Sequence, residues 1–195
     1  MDELQLKLCD IQGRLFELSA EKKISSAAFI KYFMTSETAK ALDSRYNRMQ
    51  WMGEEYLLEE VLSPAGDSLS VAGEIYQKDV MYWIGYIYRY WHYYTGESSA
   101  KILRQASAAT MKRNYMMFHT MDPVVAIEDL KEINKQKEKA YEDEKTATDF
   151  FFSRVKNQMK QTLKEIKETE NSFTMYPECF IQLDIQKNFP PCIYT

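Results

Sequence analysis

Apolar positions in this chain follow three patterns, and each predicts a different kind of element. The stretch Tyr82 to Tyr94 is apolar on almost every side: nine of its thirteen residues carry aromatic or imidazole rings, and Arg89 is its one full charge. At about 100° per residue, Gly85, Arg89 and His92 gather in a sector of roughly 60°. An element that is hydrophobic nearly all round belongs in a core. A central aromatic helix over about 79–94 is therefore expected, capped by Asp79 and closed by Thr95-Gly96, where glycine supplies the left-handed residue.

The second pattern is the one-sided helical stripe. Leu4, Leu8, Ile11, Leu15 and Leu18 step by four and three, as in a coiled-coil seam, which suits packing on the domain or on a second copy of the chain. Phe29, Ile30, Phe33 and Met34 mark a helix capped by Ser25 or Ser26, and a break follows at Thr35-Ser36. A helix from Asp43 to Leu62 is expected next, with Tyr46, Met49, Tyr56, Leu57 and Val61 inward and Glu54, Glu55, Glu59 and Glu60 outward. Ser63-Pro64 ends it. Beyond the aromatic helix, Ser98 and Ser107 cap two short helices. Asp122 and Pro123 then form a helix start, with Val124, Ile127, Leu130 and Ile133 or Asn134 as its stripe.

The third pattern begins after Lys135, where charge dominates. Val155, Met159, Leu163 and Ile166 place an amphipathic helix over about 147–168, and Phe180 to Ile185 alternates like a short strand before Pro190-Pro191. The expectation is a mostly α fold of six to eight helices. Residues 1–139 form a compact helical domain, and residues 140–195 form a C-terminal extension of a helix and a short extended tail.

Composition narrows the function classes. The net charge of −4 gives no global field that would draw the chain onto nucleic acid or an acidic membrane. A helical hairpin with Lys40, Arg45 and Arg48 could be read as a DNA-binding motif, but these bases are too thinly spread to form a basic stripe. Lys101, Arg104, Lys112 and Arg113 form the most basic part of the chain, with no acid from Ser98 to Thr120. Cys9, Cys179 and Cys192 make no ligand spacing with the two histidines, and no histidine lies near the Glu54–Glu60 carboxylates, so no metal or cofactor is expected. The N-terminus lacks a secretory pattern and no segment reads as a membrane span, which points to a cytoplasmic protein.

No phosphate loop, nucleophile elbow or zinc-protease motif is present. His119, just before the Asp122 cap, has no nucleophile with a supporting acid beside it in the sequence. The candidate site is therefore a partner-binding face made of Tyr82, Gly85, Tyr88, Arg89, His92 and Tyr93. Glycine lets a partner approach, Arg89 offers a planar fork for a carboxylate, and tyrosines are common interface anchors. The opposing reading is that Arg89 pairs internally, for example with a carboxylate of the Glu54–Glu60 helix. The C-terminal extension offers a second docking route.

Four strings, Met49-Gln50-Trp51-Met52-Gly53-Glu54-Glu55-Tyr56, Tyr82 to His92, Tyr94-Thr95-Gly96-Glu97-Ser98-Ser99 and Phe118-His119-Thr120-Met121-Asp122-Pro123, resemble a family of small helical bacterial proteins found at the antitoxin position of toxin–antitoxin operons. The resemblance covers about residues 29–133. It implies an antitoxin that neutralises a cognate toxin by direct contact, the toxin being similar to ADP-ribosyltransferases, and it implies no catalytic residue. Two alternatives have different consequences. A phage or mobile-element inhibitor of a host defence nuclease, like an anti-CRISPR protein, would bind a host complex. A small enzyme would need polar groups converging around Arg89, Tyr88, His92 or His119.

Overall fold

The computed structural model describes residues 1–66, 69 and 73–173, and among these the fold is all helical. It opens with α1 (Glu3–Glu21), held at its start by a reciprocal cap: Asp2 accepts from the Gln5 N–H at 2.7 Å and Gln5 accepts from Asp2 at 3.0 Å. Next come α2 (Ser26–Thr35) and α3 (Glu37–Asp43), a 3-10 turn (Arg48–Trp51), and α4 (Glu54–Ala65). The aromatic helix is α5 (Lys78–Thr95), and α6 (Ser99–Gln105) and α7 (Ala108–Phe118) follow. The helix α8 (Pro123–Phe173) gives its first turns to one compact unit, Met1–Ala140, and the rest to a second, Tyr141–Thr195. The expected strand and the Pro190-Pro191 end lie outside the described residues.

Within the first unit α5 is the central element. It buries Val80, Met81, Trp83, Ile84, Gly85, Ile87, Tyr88, Arg89 and Trp91, so residues on most of its circumference are enclosed, as full-circumference hydrophobicity requires. Lys78 pairs with Glu21 at one end, and Arg89 meets Gln12 further along, so α1 and α5 run antiparallel. Phe16 of α1 stands edge-on to Phe29 and Phe33 of α2 and to Tyr88 of α5, with centroids 5.4, 5.1 and 6.4 Å away, and so joins three helices in one aromatic cluster. Ile127 and Leu130 of α8 are fully buried, and Asp122 accepts from the Val124 N–H at 2.8 Å, as its cap role predicted.

Five expectations are corrected. Asp79 does not cap the aromatic helix: Gln77 holds the cap position without a side-chain hydrogen bond, and Asp79 lies inside the first turn. The seam on α1 is displaced: Leu4 is exposed, and the buried face is Leu8, Cys9, Gln12, Leu15, Phe16, Ser19 and Ala20, with polar groups among them. No helix runs from Asp43 to Leu62. Asn47, with extended backbone, accepts from the Met49 N–H at 3.0 Å and starts the 3-10 turn, Gly53 precedes α4, and Tyr46 and Tyr56 are exposed rather than inward. Pro64 does not stop α4: it forfeits the one bond its N–H would have made to the Glu60 carbonyl, and the helix runs on to Ala65 before the chain leaves it at Gly66, with φ +50°. The amphipathic helix expected over about 147–168 is no separate element: it is the outer part of α8, which is helical from Pro123.

Candidate functional site

The sector predicted to meet a partner is filled by the protein itself. A Cβ on Gly85 would stand 2.5 Å from the Gln12 carbonyl oxygen, so the missing side chain admits α1 and no partner. Arg89 is 1% exposed. Its Nε donates to Gln12 Oε1 at 2.8 Å, Nη1 to Asp43 Oδ1 at 2.8 Å, and Nη2 to Ser99 Oγ at 3.5 Å. Gln12 Nε2 in turn donates to the Gly85 carbonyl at 3.0 Å. Asp43, the last residue of α3, also accepts from the backbone N–H and the hydroxyl of Ser99, both at 2.7 Å, at the start of α6. One guanidinium thus joins α1, α3, α5 and α6, and each of its nitrogens has an acceptor, which a buried charge requires.

Tyr88 is also inside, donating to the Ala106 carbonyl at 2.6 Å. Gly85, Tyr88 and Arg89 therefore cannot form a docking face. The rule that placed the helix in the core excludes the surface role assigned to it. Arg89 does pair internally, but with Asp43 and not with the Glu54–Glu60 helix.

The remaining three predicted residues are partly reachable. Tyr82 donates to Asp10 Oδ1 at 2.7 Å, and burial followed by that carboxylate pushes its pKa up. His92 places Nδ1 2.7 Å from the Glu97 carbonyl oxygen, so Nδ1 carries the proton; Asp43 Oδ1 is 3.7 Å away. Burial and then the Arg89 charge lower the His92 pKa, so the ring is neutral at neutral pH. The Tyr93 ring lies 5.9 Å from the Arg89 guanidinium, and its buried hydroxyl has no hydrogen-bond partner among the described residues. His92 and Tyr93 line a cavity of about 560 Å³ shared with Asp2, Gln5, Asp43 and Arg45.

These groups form a structural cluster. Neither histidine shares a hydrogen bond with a hydroxyl or thiol among the described residues: His119 Nδ1 sits 3.0 Å from the Tyr115 carbonyl, and its ring stacks on Tyr115 at 4.7 Å. Burial pushes the Cys9 thiol up to about 12, which suppresses the thiolate. Among the described residues no group of three or more His, Cys, Asp or Glu side chains is placed to hold a metal, and no helix is long and apolar enough to cross a membrane. The basic run is partly paired within the fold. Lys101 meets Glu97 at 2.8 Å, and Lys112 pairs with Glu74 while lying 4.8 Å over the Tyr76 ring.

What sequence reasoning underweighted is the second unit. Tyr141, Phe150, Phe151, Phe152, Met159, Leu163 and Ile166 are between 48 and 69% exposed. The amphipathic spacing that would identify this face is present in the sequence. Compared with protein-family models, curated proteins and solved structures, the chain matches none.

Proposed function

We propose that this chain acts by binding another protein, in the manner of an antitoxin that blocks its toxin by contact, and that the outer part of α8 supplies the docking face. The observation that carries the reading is the exposure of the second unit's large apolar side chains, against the buried stripes of the first. Exposed apolar surface on this scale is the usual mark of an interaction site.

The face has a definite chemistry. Phe152, Val155, Met159, Leu163 and Ile166 fall within about 80° of one another at helical spacing, over a length of about 21 Å. Lys156, Lys160, Lys164 and Lys167 occupy the next 80° or so on one flank only. The other flank carries Gln158 and Thr162. A helix of this kind fits an apolar groove with an acidic rim along one side, with the stripe supplying burial and the lysines steering and orientation.

Co-purification with the product of the adjacent gene tests the reading, using the parent and a Phe152→Ser/Leu163→Ser pair. The expected result is a stable parent complex that the pair abolishes while melting of the first unit is unchanged. Turnover of a small molecule with no partner captured would end the proposal.

A further inference from the structure

A groove of about 720 Å³ runs between α1 and α4. Its floor is apolar: Leu18 comes from α1, and Leu58 and Leu62 come from α4. Its α4 rim is acidic. Glu55 and Glu59 are both exposed, and neither has a hydrogen bond or ion pair among the described residues. The α1 rim offers no free acid, because Glu21 is held by Lys78 and Lys22 stands next to it.

The outer part of α8 carries the complementary pattern. Val155, Met159, Leu163 and Ile166 form its apolar row, and Lys156, Lys160, Lys164 and Lys167 each follow one of them by a single position. Of these lysines only Lys164 meets an acid among the described residues, Glu168 at 3.8 Å. Glu59 follows Leu58 in the same way, so on both helices the charged row lies on the same rotational side of the apolar row. Two facing helices bring such rows together only when they run antiparallel. A parallel pair would set the lysines against the α1 rim, where Lys22 would repel them. The lengths agree as well: Glu55 to Ser63 and Val155 to Leu163 span the same number of residues, a rise of about 12 Å each.

We propose that the outer part of α8 from a second copy of this chain lies in the α1–α4 groove, antiparallel to α4, and that the two copies exchange these helices reciprocally. The exchange closes a pair with two identical contacts, the commonest kind of oligomer. The apolar row covers Leu18, Leu58 and Leu62, and the lysines against Glu55 and Glu59 set the direction of the helix. The uncharged flank, Gln158 and Thr162, falls to the α1 rim. The proposal rests on the α8 face of the preceding reading and names one occupant for it. A cognate protein that uses the same face competes with the second copy.

The test is sedimentation equilibrium of the full chain, on the parent, on Glu55→Lys/Glu59→Lys and on Lys156→Glu/Lys160→Glu. All four positions are exposed, and near-UV circular dichroism checks that each variant keeps its core. The parent is expected to be a dimer that weakens as salt rises. Each variant alone should associate at least tenfold more weakly. An equimolar mixture of the two should dimerise like the parent, because every groove then meets an α8 of opposite charge, a result that a helix folded back within its own chain cannot give. A monomeric parent, variants that dimerise like the parent, or a mixture that stays monomeric would each overturn the exchange. Capture of the adjacent gene's product separates this proposal from the reading it rests on. A monomeric parent that captures the product ends the exchange alone, and a dimer restored by mixing, with no product captured, ends the antitoxin reading alone.

Discussion

Gly85→Ala tests the account of the core at its tightest point. On helix propensity alone the change should stabilise α5 by about 1 kcal/mol. The packing argues the other way. The new Cβ would lie 2.5 Å from the Gln12 carbonyl oxygen and 2.9 Å from Phe16 Cγ, while ordinary contact begins near 3.4 Å. The backbone of α1 must therefore retreat by about 0.9 Å (3.4 less 2.5). Overpacking of this kind costs typically 1–3 kcal/mol. The same shift strains the Gln12 bond to the Gly85 carbonyl, of a kind that contributes about 0.5–1.5 kcal/mol, and its bond from the Arg89 guanidinium, of a kind that contributes about 1.5–3 kcal/mol. After subtracting the propensity gain, a net loss of roughly 2–3 kcal/mol is expected, or about 5–10 °C in Tm for a unit of this size. Near-UV circular dichroism on heating is the assay, because it follows the buried rings, Trp91 among them, and not the solvated part of α8. A variant as stable as the parent, or more so, would refute the claim that glycine is there to admit α1.

Two further outcomes follow from the buried cluster. Arg89→Met keeps much of the side chain's bulk but strips Asp43 and Gln12 of their charged partner, and should cost about 3–5 kcal/mol in urea unfolding; adding Asp43→Asn should recover part of it, and a strictly additive double variant would argue against the pairing. Glu97 makes the fold sensitive to acid: burial alone would raise its pKa, but hydrogen bonds from Lys101, Gln105 and Trp91 prevail and draw it down from 4.5 to about 2. A depressed folded pKa means stability that is present above about pH 4.5 and lost as pH falls towards 2, so the gap between parent and Glu97→Gln should narrow between pH 6 and pH 3. Parallel pH curves would contradict this.

By itself the sequence determined the elements whose signals are local. The all-round apolar run of α5, the Gly96 closure with φ +72°, the Ser107 cap and the Asp122-Pro123 start each depend on residues within a turn or two of one another, and each stands in the structure where it was read. Local rules failed where a competing local signal was discounted, as at Asn47 and Gly53, which divide the expected Asp43–Leu62 helix. Tertiary structure alone decided the character of the candidate site. Arg89 looks like an exposed fork until Gln12, Asp43 and Ser99, which lie 77, 46 and 10 residues away along the chain, converge on it. Nothing in the spacing of single residues marks Asp43 as that partner, because the pairing is set by where the end of α3 meets the start of α6. The exposed stripe of α8 lies between these cases. Its periodicity is in the sequence, but burial depends on what packs against it, so only the fold could separate it from the core stripes it resembles.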